Sequence, residues 1–282
     1  MKLGKMEVDV VGGGAFRLDG GTMFGPVPRV LWERQIPPDE RHRIPMTANC
    51  LLVRVGGSIV LVDAGYGSKA DGKRRDFQAL EEGGPIVRSL AAHGVRPEDV
   101  DLVVLTHLHF DHVGGCTMRD ESGSLRLVFS NADHVVQRSE WEDAVSRRPE
   151  LLGSYFEEDF LPLEAAGRLQ LVDGEVEILP GVRVRRVGGH TRGMQIVELG
   201  STSTDPPLGV ALSDLAPTTA HLKTFWQVSY DQFPLDVRRI KPIELGRIAD
   251  CGALAFLCHD TRTRWAYLKR DSKQEFVASS AP

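Results

Sequence analysis

The segment Thr106-His107-Leu108-His109-Phe110-Asp111-His112 sets three imidazoles and a carboxylate close together, directly after the apolar run Val103-Val104-Leu105. Such a cluster is a donor set for metal ions. Along an extended chain alternate side chains share a side, so His107 and His109 can face one ion, while a turn at Phe110 sends Asp111 and His112 toward a second position. Two ions suit this pattern better than one. Imidazole and carboxylate donors favour zinc, with iron, manganese or cobalt compatible, and the lack of cysteine in the cluster argues against a closed structural zinc. A histidine-rich surface loop is the competing reading. It is disfavoured because the cluster follows a buried-strand pattern and runs on into Gly114-Gly115.

Three more donors, His190, Asp214 and His259, each stand just past the C-terminal end of an expected strand. Side chains that leave successive strand ends can converge on one rim of a sheet, where loops aim them without breaking the ladder. Taken singly, His190 and His259 read as capped or surface histidines and Asp214 as a turn former. Joined to the first cluster, they complete seven donors, enough for two ions.

The elements that must position these residues follow from periodicity. Residues 8–11, 51–55 and 58–63 read as strands, the last two as a hairpin across Gly56-Gly57. Residues 84–93 have helical spacing, with Ile86, Val87 and Leu90 on one face and Gly94 as a stop. Residues 131–148 read as a helix, with Trp141 and Val145 four apart, and residues 235–248 as another. Residues 182–187, 195–199, 208–212 and 254–257 read as strands, and residues 201–207 as a polar turn. Gly12-Gly13-Gly14 is no nucleotide loop, because no long amphipathic helix follows it. A proline-rich stretch, residues 24–38, reads as a long loop that carries large apolar side chains and suits the lining of a pocket, a subunit contact or packing over the core edge. Interleaved strands and helices favour two packed sheets with helices outside, in a single domain over residues 1–282.

Composition sets outer bounds. A hydrophobic content of 41% suits a globular chain with a sizeable core. The formal net charge of -5 and pI near 6.0 leave no basic footprint for nucleic acid, so a small molecule is the expected partner. The charged start, Met1-Lys2-Leu3-Gly4-Lys5, lacks the apolar core of a secretory signal, and no apolar run approaches the ~18 residues of a membrane span. The cytoplasm is the expected location, without a membrane partner. Cys50, Cys116, Cys251 and Cys258 form no Cys-x-x-Cys pair and read as reduced core or near-core thiols.

The pattern His107-x-His109-x-Asp111-His112, then Gly189-His190-Thr191, then Ser213-Asp214, then His259, resembles the metallo-β-lactamase superfamily in the superfamily's order. The resemblance implies an α/β fold, a four-layer αββα sandwich of two mixed sheets flanked by helices, with two divalent metal ions at one edge. It implies that His107, His109 and His190 hold one ion, that Asp111, His112 and His259 hold the other, and that Asp214 bridges them. Asp63 resembles the superfamily's aspartate that supports a ligand histidine, a hairpin-turn role being the alternative. A bridging carboxylate is similar to the hydrolases of esters, lactones and phosphoesters rather than to true β-lactamases.

The segments at residues 19–28 and 47–52 further resemble the N-acyl homoserine lactone lactonases and the methyl-parathion hydrolase group. A lactonase active in quorum quenching, taking a small lactone or ester, is therefore the expected activity, and a homodimer is compatible with it. Two departures stand out. Many relatives read Gly-His-Thr-Pro-Gly-His where this chain has Gly189-His190-Thr191-Arg192-Gly193-Met194, and Leu215-Ala216-Pro217 follows Asp214 where known lactonases place a tyrosine. Tyr66, Tyr230 or His221 could replace that phenol only if the fold brings one near. Met23, Phe24, Trp32, Phe225 and Trp226, with His221, are candidates for an apolar pocket wall, although core positions are the commoner fate of such aromatics. His134 and His221 have no ligand spacing of their own.

The expected mechanism is attack by a hydroxide shared between two divalent ions, whose charge lowers the pKa of bound water from ~15.7 toward ~7. Asp111 would orient that hydroxide and pass a proton to the leaving oxygen. Phosphotriester or thioester hydrolysis in the same site is the alternative, and a di-iron redox protein the more distant one. No flavin-binding second domain is evident at this length.

Overall fold

The computed structural model describes residues 1–151, 153–202 and 205–281. The expected polar turn at residues 201–207 lies partly outside them. The chain divides into two compact units, residues 1–15 with 48–176 and residues 16–47 with 177–282. Each unit carries a large mixed sheet and helices. No helix among the described residues is long and apolar enough to cross a membrane.

The first sheet runs in chain order: β1 Lys2–Leu3, β2 Met6–Asp19, β3 Arg43–Val55, β4 Ser58–Val62, β5 Leu102–Val104, β6 Asp133–Gln137 and β7 Leu169–Val172. The expected hairpin is present, with Val55 facing Ser58 across Gly56-Gly57. From β4 onward the strands are parallel, and the register sets Val62 beside Val104 and Val104 beside Val135. The helix Pro85–Ala92 starts on proline, whose missing N–H costs nothing at the first position, and buries Ile86 and Leu90. The unit's core gathers Leu52, Leu61, Val103, Leu105, Phe129 and Phe160, among others.

One sequence expectation fails here. Residues 131–148 are not one helix but β6 followed by the helix Arg138–Val145. Val135 and Val136 are β-branched, fully buried and flanked by parallel strands, so sheet packing overrides the helical reading; helical spacing begins only at Trp141 and Ala144.

A buried ion pair pins the segment that follows the histidine cluster. The Lys69 ammonium donates to the carbonyls of Gly114 and Thr117, the latter at 2.8 Å, and meets Asp159 Oδ1 at 2.9 Å. Three donors therefore have three acceptors. Replacing Lys69 with methionine leaves Asp159 buried and unpaired, so urea unfolding should show a loss of about 3–5 kcal/mol. A loss below about 1 kcal/mol would mean that the pair is replaceable by packing alone.

The second sheet likewise follows chain order: β8 Glu175–Leu179, β9 Val182–Arg186, β10 Gln195–Leu199, β11 Gly209–Ala211, β12 Leu254–Phe256, β13 Trp265–Arg270 and β14 Phe276–Ser279. Four of these match expected strands. The helix Pro234–Cys251 also starts on proline, ends at left-handed Gly252, and turns Val237, Leu245 and Ile248 inward. They meet Ile196, Val210, Ala255 and Leu257 in this unit's core.

Candidate metal centre

In the first unit the parallel register of β4 and β5 carries Asp63 and Thr106 off neighbouring strand ends. Asp63 Oδ1 accepts the Thr106 backbone N–H at 2.8 Å, and Oδ2 accepts the Thr106 hydroxyl at 2.9 Å and His112 Nδ1–H at 2.9 Å. The carboxylate fixes His112 with its proton on Nδ1, leaving the Nε2 lone pair to act as a ligand. Asp63 sits in the left-handed region at φ 57°, a conformation that aspartate tolerates better than most residues. Glycine makes the close approach feasible. A Cβ on Gly115 would lie 2.0 Å from the Ala64 carbonyl oxygen, so only glycine lets residues 63–67 lie against the turn after His112.

The three imidazoles of the cluster are buried together. The rings of His107 and His112 are 4.1 Å apart between centroids, and those of His107 and His109 4.5 Å apart. Asp111 occupies the first turn of the short helix Phe110–Val113, and one of its oxygens is 4.0 Å from His112 Nε2. The loop is held from outside by Glu140, a buried carboxylate that accepts the Leu108 N–H at 3.0 Å and the Tyr155 hydroxyl at 2.9 Å.

In the second unit the register of β11 and β12 pairs Ala211 with Phe256, so Asp214 and His259 each stand three residues beyond a matched pair. The expectation that these donors leave strand ends is met geometrically. Asp214 Oδ1 lies 3.1 Å from His259 Nε2 and Oδ2 lies 3.3 Å from His190 Nε2. Each ring is anchored by its other nitrogen: His190 Nδ1–H donates to Asp231 Oδ1 at 2.8 Å, and His259 Nδ1–H to the Thr47 carbonyl at 2.9 Å. Cys258 Sγ is 3.3 Å from Asp214 Oδ1, and the ligand atoms of Asp214, Cys258 and His259 lie within 4.8 Å of one another. Burial disfavours charge on His259, but Cys258 and Asp214 outweigh it and hold its pKa well above the ordinary value. A cation binding there would displace that proton.

Both donor sets fit divalent ions by their own chemistry. Buried imidazoles with the second nitrogen held by a carboxylate or carbonyl are the arrangement in which Nε2 is oriented toward a metal. Sequence reading missed Glu140, Asp231 and Cys258. Nothing in their spacing marks the first two, and Cys258, adjacent to His259, reads in the sequence as a core thiol.

The candidates for a pocket wall are placed differently. Phe24 stacks between Trp32 and His221, at 5.3 and 4.8 Å between centroids, and Met23, Phe24, Trp32 and His221 are all buried. Trp226 meets Phe24 edge-on, while Phe225 stands 62% exposed with the Arg238 guanidinium over its ring. His221 accepts the Thr218 hydroxyl on Nδ1 at 2.7 Å and donates Nε2–H to the Met23 carbonyl at 2.8 Å. Burial drives its pKa down to about 3, so it is a neutral core imidazole. Burial likewise lowers His134, in β6, to about 4. Tyr66 is also committed to structure: its hydroxyl donates to the Ala15 carbonyl and accepts the Glu81 N–H, and burial raises its pKa to about 12. The Tyr230 ring meets His190 edge-on at 5.5 Å; the residue is partly exposed, and its hydroxyl donates to Met23 Sδ at 3.3 Å.

Comparison with known proteins gives the class. Residues 43–215 match the Metallo-beta-lactamase superfamily. The chain belongs to that superfamily, and its two mixed sheets with flanking helices are the superfamily's fold. It is 30% identical over 187 residues to an N-acyl homoserine lactonase of Bacillus cereus, a match covering 61% of this chain and 67% of that one. A match to the lactonase of Bacillus thuringiensis, also 30% identical, covers 55% of that protein's length. Among solved structures, a probable metal-dependent hydrolase from Staphylococcus aureus superposes with a TM-score of 0.84 at 28% identity over all of both chains. AidC, a dizinc quorum-quenching lactonase, shares the fold with a TM-score of 0.79 at 23% identity, covering 100% of this chain and 97% of that one.

Proposed function

We propose that this hydrolase opens lactones or cleaves carboxylic esters with two divalent ions, zinc foremost, and that N-acyl homoserine lactones are its substrate class. The observation that carries the proposal is the Asp214 carboxylate, which offers one oxygen to His190 and the other to His259. The likeness to lactonases supports the substrate class.

The ligand division we assign is His107, His109 and His190 for one ion, Asp111, His112 and His259 for the other, and Asp214 for both. The ions supply activation of water near neutral pH and polarisation of the carbonyl. The protein supplies the rest. Asp63 and Asp231 hold His112 and His190 in the tautomer that presents Nε2, and the Thr47 carbonyl does the same for His259. Asp111 is assigned the transfer of a proton to the leaving oxygen. Of the three side chains considered for the missing phenol, Tyr230 fits best, because its ring lies edge-on to that of His190, a proposed metal ligand.

Exhaustive chelation should reduce turnover of an N-acyl homoserine lactone to background, and adding back zinc should restore it at about two ions per chain. Parallel assays with an aryl ester, paraoxon and an acylated glutathione rank the carboxylic ester reading against phosphotriester and thioester hydrolysis. Full turnover of the metal-free protein would end the proposal.

A further inference from the structure

The proline-rich stretch and the turn after His259 meet around a cavity of about 310 Å³ within the second unit. Its lining includes Gln35 and Pro37 from the stretch and His259, Asp260, Arg262 and Thr263 from the turn. The volume is roughly ten times the ~30 Å³ share of a liquid water, enough for a short functionalised chain.

The turn that displays Arg262 is built to hold its shape. Asp260 is buried, and its Oδ1 accepts the backbone N–H groups of Arg262 at 2.9 Å and Thr263 at 2.7 Å. Its Oδ2 accepts the N–H and hydroxyl of Thr219 at 2.9 and 2.8 Å. Asp260 is thus occupied in fixing the turn. Among the described residues, the Arg262 guanidinium has no carboxylate partner, and the Gln35 amide and the Thr261 and Thr263 hydroxyls have no side-chain hydrogen bond. A guanidinium carries five donors in a planar fork matched to a carboxylate, and neighbouring hydroxyl and amide groups add adaptable donors. One wall is preset by proline, so little ordering is needed to receive a ligand.

We propose that this cavity is a specificity subsite for a carboxylate carried by the substrate, and that Arg262 is the residue that reads it. The inference rests on the hydrolase reading above and extends it, beyond the uncharged N-acyl homoserine lactones, to esters or lactones with an anionic substituent. His259, a proposed metal ligand, forms part of the same lining, so a carboxylate held at Arg262 belongs to a substrate that lies beside a residue of the proposed centre.

Two esters of equal length separate the possibilities: 4-nitrophenyl valerate and mono(4-nitrophenyl) glutarate, which differ by a terminal carboxylate. In Arg262→Gln the KM for the glutarate ester should rise roughly 10- to 100-fold, the span of a lost charge-assisted hydrogen bond, with kcat held. The valerate ester should change by less than about twofold, and Arg262→Lys should recover part of the loss because it keeps the charge without the fork. Glutarate titrated calorimetrically into metal-loaded protein should bind wild type at least ~10-fold more tightly than Arg262→Gln. An equal loss for both esters, or none for the glutarate ester, would overturn the subsite. If neither ester turns over, the calorimetric difference still decides the role of Arg262, and the hydrolase reading stands or falls separately on the lactone assay above.

Discussion

Asp214→Asn should lose roughly 10³-fold or more in kcat/KM, about 4 kcal/mol in the barrier, while keeping its fold. The carboxylate is buried, and each of its oxygens faces a different imidazole, His190 at 3.3 Å and His259 at 3.1 Å. An amide of the same size keeps one neutral acceptor oxygen and places an NH₂ where the other oxygen was. It therefore cannot offer charge to two partners, and inside a low-dielectric site that charge is the main attraction for a cation. Metal analysis after gel filtration should show depletion alongside the lost turnover, with unchanged far-ultraviolet circular dichroism. Retention of both ions and of activity within tenfold of wild type would remove Asp214 from the centre of the reading.

The elements that aim these donors were legible in the sequence to different depths. Apolar runs bounded by glycine, such as residues 58–62 and 195–199, declared themselves because central strands must bury both faces. β13 and β14 did not. They mix exposed Lys269, Arg270 and Val277 with inward Leu268 and Phe276, and β14 ends the sheet, where hydrophobic demand is weakest. The helix Glu157–Ala165 was hidden by Pro162, which sits inside it although proline normally marks a break. At the site, His107, His109, Asp111 and His112 were readable because donor types at short spacing are rare by chance, and His190, Asp214 and His259 because strand ends flag them. The supporting carboxylates were not readable. Glu140 lies 32 residues from Leu108 and Asp231 lies 41 from His190, distances closed by the parallel register and by the backbone bonds of Gln232 and Phe233 to His190 and Gly189. The aromatics show the converse limit: Phe24, Trp32 and His221 look like pocket formers by type, yet they stack on one another inside the second unit.

Asp63 offers the sharpest test of whether hydrogen bonding, rather than shape, prepares the first half of the site. Asp63→Asn keeps the side-chain volume, and asparagine tolerates the left-handed backbone at φ 57°, so the turn should survive. The Asn oxygen can still accept from Thr106. Its NH₂, however, replaces the acceptor at 2.9 Å from His112 Nδ1. Two donors cannot face each other, so the imidazole is driven to the opposite tautomer, with its proton on Nε2, the atom needed for metal. The expected result is roughly a 10- to 100-fold loss of affinity for the ion at His112, with a comparable or larger fall in turnover. Thermal unfolding of the metal-free protein should move little, since most bonds to Thr106 persist. Competition titration with a chromophoric chelator measures the affinity, and nitrogen-15 shifts of the His112 ring report the tautomer directly. Unaltered affinity with the tautomer reversed would show that the ring is oriented by its packing against His107, 4.1 Å away, and that Asp63 serves only the turn.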